Sequence, residues 1–240
     1  MRLFPFLVIT LFSLIIGSPV VAQSVDIDLT APDGITLKGT YTSPDRPGPG
    51  MLLIHQCNMD RSSWQTLTTQ LVESGIHVLT LDLRGFGDSG GEGISAGFPQ
   101  LLMKSSGDVD MAYEYLVSQE GVDRSRIGVG GASCGAMLTA DLASRQNVSA
   151  LMLLSGPASE EASAYIASTE NLAVFAAAAT EDNILEGVAD ALNATVEGSN
   201  HPHSTAKIYG GTEHGLPMFE RNSDLEPALV SWIQDRLLSN

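Results

Sequence analysis

The sequence predicts an α/β fold: a mostly parallel sheet with helices on both faces. Three observations carry this expectation. Short continuous apolar runs, Met51–Ile54 and Ala150–Leu154 among them, have the length and composition of strands buried on both faces. Stretches of helical periodicity alternate with these runs, which calls for crossover connections and parallel strands. Glycine-rich turns directly follow several strands, on the edge of the sheet where such folds carry their chemistry.

At the start of the chain, Met1 and Arg2 precede an apolar run from Leu3 to Ile16 and a small-residue ending, Val20, Val21 and Ala22. The run is shorter than the roughly 20 residues a spanning helix needs, and the order basic, apolar, small predicts a secretory signal cleaved after Ala22. Residues 1–22 are therefore expected to be removed. Residues 23–240 are expected to form one exported domain, periplasmic or secreted, with no stable membrane anchor. The formal charge is −16 and only three lysines are present, so a nucleic-acid partner is not expected.

Val25–Leu29 and Thr36–Thr42 alternate as two strands, with Pro32, Asp33 and Gly34 turning between them. Ser43–Gly50 reads as a Pro/Gly-rich connection to the strand Met51–Ile54. A helix is expected over Ser63–Ser74, then a strand over His77–Leu83 and a tight glycine-rich loop within Asp82–Gly91. Further helices are expected over Ser106–Ser118, Ile184–Val196 and Leu225–Leu238. Strands are expected over Ala150–Leu154, Leu172–Ala178 and Ala206–Tyr209. The stretch 156–171 is too short for a substantial lid.

The central segment is Arg126–Ala136, RIGVGGASCGA, which contains a GxSxG pattern with Ser133 at its tip. Ile127 and Val129 alternate before the turn, and AMLTADLA follows it with helix-forming composition. A strand that reverses into a helix within one residue strains the apex and crowds the positions two residues either side, which Gly131 and Gly135 relieve. The first free N–H groups of the helix then lie beside the apex, where an oxyanion can form. Ser133 is the candidate nucleophile. Cys134 is the alternative, but centring the turn on it would place Ala132 and Ala136 at the small positions.

A serine hydroxyl needs a base, normally a histidine oriented by a carboxylate. His77, His201 and His203 precede strands and so fall at the opposite edge, while His55 ends an early strand and is expected to shape its turn. His214 follows the last strand between Gly211 and Gly215 and is the favoured base. The turn after Leu172–Ala178 offers Asp182 as the carboxylate, with Glu181 as a rival; Asp82 and Asp88 are expected to stabilise their own turn.

The order Ser133, Asp182, His214, together with RIGVGGASCGA, DLRGFGDSGG, DVDMAYEYL, TED and EHG, resembles the α/β-hydrolase superfamily. Within it, the chain is most similar to small dienelactone-hydrolase-like and esterase members. The resemblance implies an α/β-hydrolase fold without a substantial lid domain. It also implies a serine hydrolase in which Ser133 attacks, His214 transfers the proton and Asp182 orients the ring. No metal or cofactor is implied. The expected substrate is a small-molecule ester or related acyl compound, with peptidase, acyltransferase or non-catalytic binding roles as alternatives. Where relatives carry His-Gly after the first parallel strand, this chain has His55-Gln56. The oxyanion hole would use the backbone N–H groups of Cys57 and Cys134, and those two cysteines form either a disulfide or two buried thiols. Trp64, Phe86, Phe98, Met103, Met218 and Phe219 are candidates to line an acyl pocket.

Overall fold

The computed structural model describes residues 23–239; the signal-like segment 1–22 lies outside them. A hairpin of β1 (Gln23–Thr30) and β2 (Thr36–Ser43) opens the fold, followed by β3 (Gly48–Ile54). Next come a 3-10 turn at Arg61–Trp64, α1 (Gln65–Glu73), β4 (His77–Leu81) and α2 (Phe98–Ser118). The second half comprises β5 (Val122–Ala132), α3 (Cys134–Ala143), β6 (Ala150–Leu154), α4 (Glu160–Ser168), β7 (Ala173–Ala179) and α5 (Val188–Gly198). It ends with β8 (Thr205–Tyr209), α6 (Pro217–Arg221) and α7 (Leu225–Leu237). The eight strands form one sheet in the order β1-β2-β4-β3-β5-β6-β7-β8. β2 is antiparallel to both of its neighbours, and every pairing from β4 through to β8 is parallel.

Continuous apolar strands still sort their side chains by the two-residue period of the pleat. Leu52 and Ile54 of β3 join Val129, Leu151, Leu153 and Val174 under α2, α3 and α5. Met51 and Leu53 point the other way and pack with Met152, Leu154 and Phe175 under α1 and α7. A one-residue slip in β3 would exchange the two faces, so the register Ile54↔Gly131 is set by both cores at once. The chain passes from β3 to β4 on one side and then crosses back over β3 to β5 on the other. The crevice beyond the ends of β3 and β5 is thus the topological switch point of the sheet.

Several elements differ from the sequence expectation. β3 begins at Gly48, inside the stretch expected as a connection. α2 begins at Phe98 rather than Ser106, because Pro99 in the first turn needs no N–H partner and the helix continues through Gly107. The α5 helix starts at Val188, since Asp182 and the residues after it form a turn of their own. α4 occupies part of the stretch 156–171, for which the sequence predicts no helix, only a length too short for a substantial lid. Its N-terminus is capped by Ser159, whose side chain accepts from Ala162 N–H, with Glu160 and Glu161 in the first turn.

A buried ion pair joins the glycine-rich loop after β4 to α2. Arg84 donates from Nε and one terminal nitrogen to both oxygens of Asp108 at 2.6 and 2.7 Å, and it also reaches Asp33 at 2.8 Å in the first hairpin turn. Arg84 is 6% exposed and Asp108 is 1% exposed. Replacing Asp108 by Ala leaves a buried guanidinium without its main partner, and an equilibrium denaturant titration should read a loss of about 3–5 kcal/mol.

Two buried histidines are neutral by their hydrogen bonding. His77 donates from Nε2 to the Arg46 carbonyl at 3.0 Å and accepts at Nδ1 from the Tyr41 hydroxyl at 2.6 Å. His55 donates from Nδ1 to the Gln56 carbonyl at 2.8 Å and accepts at Nε2 from Leu83 N–H at 3.0 Å. Burial holds both rings below the ordinary imidazole range. The unfolded chain binds the extra protons first, so stability falls as pH drops below about 6.5. Thermal melts should show a decreasing Tm between pH 7 and pH 5, and the slope should flatten in His77→Gln.

Candidate active site

Four strand ends supply the site. At the end of β5 the chain reverses into α3 within a single residue, Ser133, whose φ of 53° and ψ of −122° are unusual for a residue with a side chain. Crowding around it explains the flanking glycines. A Cβ on Gly131 would lie 2.3 Å from the Gly135 carbonyl carbon, and one on Gly135 would lie 2.3 Å from the Ile54 carbonyl oxygen. Ser133 N–H donates to Leu154 O at 2.8 Å, tying the apex to the end of β6. The buried helix α3 lines up small residues, Gly135, Ala136, Thr139, Ala140 and Ala143, which lets it lie close to β5.

The ends of β7 and β8 supply the acid and the histidine. His214 Nδ1 lies 2.7 Å from one oxygen of Asp182 and 2.9 Å from the other. The first of those oxygens also belongs to the ion-pair geometry of a nearly sealed couple, with side-chain exposures of 8% for His214 and 1% for Asp182. Asp182 further accepts from Ile184 N–H at 3.0 Å and Leu185 N–H at 2.9 Å, which hold its carboxylate in one orientation. An ionised carboxylate only accepts, so the ring proton sits on Nδ1 and the lone pair on Nε2. Among the described residues Nε2 is buried and has no hydrogen-bond partner. Glu181, the rival acid, is exposed and does not meet the ring. Backbone bonds lace the two loops together, Glu181 N–H to Gly211 O at 3.0 Å and Asn183 N–H to Thr212 O at 3.1 Å.

Among the described residues no hydrogen bond joins Ser133 Oγ to the His214 ring. The histidine loop touches the elbow through Gly215, where a Cβ would lie 3.5 Å from that of Ala132. Apo sites commonly leave this contact loose until substrate enters.

The fourth contribution is the loop after β3. The cysteines form a disulfide between Cys57 and Cys134, with Cα atoms 5.9 Å apart, so the alternative of two buried thiols is not realised. Neither the Cys57 nor the Cys134 N–H donates to an acceptor among the described residues. The His55 ring braces the loop from beneath, as expected, and stands edge-on with the Phe86 ring at a centroid distance of 5.4 Å and an interplanar angle of 62°. Asp82 stabilises its own turn as expected, whereas the Asp88 side chain pairs with Arg61 outside it. Asp82 accepts from Asp88 N–H at 2.9 Å and Arg61 N–H at 2.6 Å and pairs with the Arg61 side chain.

Gln56, which departs from the pattern of relatives, has a role the sequence reading missed. It is 3% exposed, its Oε1 accepts from Leu216 N–H at 2.9 Å and its amide nitrogen donates to Asn58 Oδ1 at 2.7 Å. One amide therefore joins the histidine loop to the loop after β3. The only hint in the sequence was the substitution itself, a long amide where a glycine is usual.

Of the residues named for an acyl pocket, Phe86 packs on the His55 ring and the others lie in or against the core or on the surface of α2. Trp64, 1% exposed, and Met218, fully buried, belong to the core beneath α1 and α7, and Phe219 packs against that core. Trp64 ends the 3-10 turn ahead of α1 and turns inward, and Met218 meets the Ser155 hydroxyl at 3.3 Å instead of open space. Phe98 and Met103 are exposed on α2. A cavity of about 920 Å³ does exist, between α1 and the β2 and β4 strands, but Ser133, Asp182 and His214 do not line it. No group of three or more His, Cys, Asp or Glu that could hold a metal occurs among the described residues, and His201 and His203 lie in a surface loop.

Replacing Gln56 by Ala removes the link to Leu216 N–H and leaves that donor buried without an acceptor. Denaturant titration should register a loss of about 1–3 kcal/mol. Hydrogen exchange should rise at Leu216 while the central strands stay protected.

The fold is shared with solved structures of low sequence identity. The esterase Pf2001 of Pyrococcus furiosus superposes with a TM-score of 0.71 at 16% identity, covering 90% of this chain and 93% of that one. The α/β hydrolase GrgF of a Penicillium species gives 0.69 at 15% identity, covering 90% of this chain and all of that one. An uncharacterized protein of Mycobacterium tuberculosis is 31% identical over 141 residues, 58% of this chain and 48% of the relative; the chain thus spans about half the length of the curated relative it matches. The family model for serine aminopeptidase, S33, matches residues 46–188, which include β3, the elbow and Asp182. The chain belongs to that family, within the α/β-hydrolase superfamily.

Proposed function

We propose that this protein is a serine hydrolase that cleaves a carboxylic ester-like acyl bond through an acyl-serine intermediate. The observation that carries the reading is the buried Asp182–His214 couple, whose unpartnered ring nitrogen belongs to the loop that meets, at Gly215 and Ala132, the strained turn carrying Ser133. In this mechanism His214 Nε2 takes the Ser133 hydroxyl proton as Oγ attacks the acyl carbon. The imidazolium is stabilised by the Asp182 carboxylate, which its Nδ1–H already faces at 2.7 Å. The backbone N–H groups of Cys57 and Cys134 receive the negative oxygen of the tetrahedral intermediate. His214 then returns the proton to the leaving group, and a water repeats the sequence to release the acid and regenerate the serine.

A peptidase acting through the same three residues is the second reading, favoured by the matched family's description as a serine aminopeptidase. The two differ only in the leaving group, alcohol against amine. Residues 1–22 are proposed to direct export, and a disulfide suits an oxidising compartment. Among the described residues no helix is long and apolar enough to cross a membrane.

A fluorophosphonate probe should label the wild-type protein, and labelling should vanish in Ser133→Ala. Ser133→Ala should lower kcat for p-nitrophenyl acetate by about 10⁴-fold or more. An unlabelled wild type sinks the hydrolase reading. Faster turnover of an aminoacyl p-nitroanilide than of any p-nitrophenyl ester in a chain-length series would move the assignment to the peptidase.

A further inference from the structure

The chain has two cysteines, separated by 77 residues, and they form one bridge. Cys57 sits in the loop that follows β3, and Cys134 is the first residue of α3, directly after Ser133. Among the described residues neither backbone N–H has an acceptor, and these are the two donors assigned to the oxyanion hole in the proposed mechanism. The sole disulfide therefore joins, side chain to side chain, the residues whose main chains would hold the developing charge.

The two donors differ in how they are fixed. Cys134 is held by α3 and by the packing of Gly131 on Gly135. Cys57 lies outside any helix or strand. Its neighbours are tied elsewhere, His55 to Leu83 and Gln56 to Leu216, and the Gln56 carbonyl accepts from Asn58 N–H and Met59 N–H at 2.8 and 3.0 Å. None of these bonds runs from Cys57 to the elbow. Among the described residues the disulfide is the one bond from Cys57 that does so, two residues beyond the His55 carbonyl that packs on Gly135. An oxyanion hole works only when its donors stand at hydrogen-bond distance from one point in space, so the separation between the two N–H groups is what the bridge controls.

We propose that the Cys57–Cys134 bridge is a positioning device for the oxyanion hole and makes turnover depend on the oxidation state of the chain. The inference rests on the serine-hydrolase reading above. Cys134 is fully buried and Cys57 is partly exposed, so an external thiolate attacks Sγ of Cys57. The S–S bond breaks, its electron pair leaves on Cys134 Sγ, and that sulfur takes a proton. The second thiol of a dithiol reductant then displaces Cys57 as a thiol, and the reductant departs as its cyclic disulfide. Two electrons and two protons pass to the protein. Both N–H donors survive the reduction; only their spacing is released.

The test compares oxidised protein with protein reduced by dithiothreitol, at a temperature where circular dichroism shows both folded, with thiols counted by a chromogenic disulfide reagent. Reduction should lower kcat for p-nitrophenyl acetate about 10- to 100-fold with KM changed less than about threefold, because a displaced donor is missed mainly in the transition state. Reoxidation should restore the rate. The Cys57→Ser/Cys134→Ser double variant, which keeps both backbone donors, should match the reduced enzyme and ignore the reductant. A fully reduced, folded enzyme whose kcat stays within about twofold of the oxidised value overturns the proposal. So does a loss that follows unfolding in the dichroism signal and not the fraction of bridge reduced. If oxidised wild type neither reacts with the fluorophosphonate nor turns over ester, it is the hydrolase reading that has failed, and this inference falls with it.

Discussion

The close approach of backbone to backbone at the end of β5 is the constraint on which the site depends. Ser133 keeps a positive φ because the surrounding main chain leaves it no alternative: Gly135 lies against Gly131 on one side and against the Ile54 carbonyl on the other. A turn this tight lifts the serine side chain away from the strand and aims the start of α3 at the same point. The glycine pattern is then a requirement of packing, and the small-residue face of α3 is its continuation along the helix. Strain of this kind persists only where the rest of the structure over-determines it. Here the core on both faces of β5 does so.

Around the elbow, three loops that have no regular structure of their own are fastened to one another. The acid turn and the histidine loop share backbone bonds, the Gln56 amide ties the histidine loop to the loop after β3, and the disulfide ties that loop back to α3. The links run in series from the acid turn to the elbow. Each link uses a different interaction, and only the covalent one is sensitive to redox conditions. Preorganisation of this sort replaces the reorganisation that water would undergo as charge develops, which is where most electrostatic catalysis originates. In chain-entropy terms, a bridge closing a loop of this length also contributes about 4.5 kcal/mol to stability.

Elsewhere the chain spends buried charge on joining elements. Arg84, Asp108 and Asp33 connect a loop, a helix and a hairpin turn, and Arg61 joins the 3-10 turn to Asp82 and Asp88. Both clusters fix the segments leading away from β4, next to the His55 ring that supports the loop after β3. The strongly acidic composition is otherwise borne by the surface, with Asp28, Glu92 and Asp224 among the exposed carboxylates.

Much of this architecture was legible in the residues because local rules and tertiary requirements agree. Strand–glycine–helix patterning specified the elbow, the alternation of apolar runs with helices specified a parallel sheet, and strand ends limited where an acid and a base for Ser133 could lie. Helix starts were less legible at Phe98 and Glu160, where a proline turn and a serine cap carried the signal without any apolar periodicity. What the tertiary structure alone decided was pairwise: Asp182 over Glu181, a bridge over two thiols, Trp64 and Met218 in the core, and the Gln56 amide against Leu216. Local sequence governs backbone conformation and which face is apolar, since both depend on neighbours a few residues away. Partners 77 or 160 residues apart are chosen by the packing of the whole sheet, and no local pattern encodes that distance.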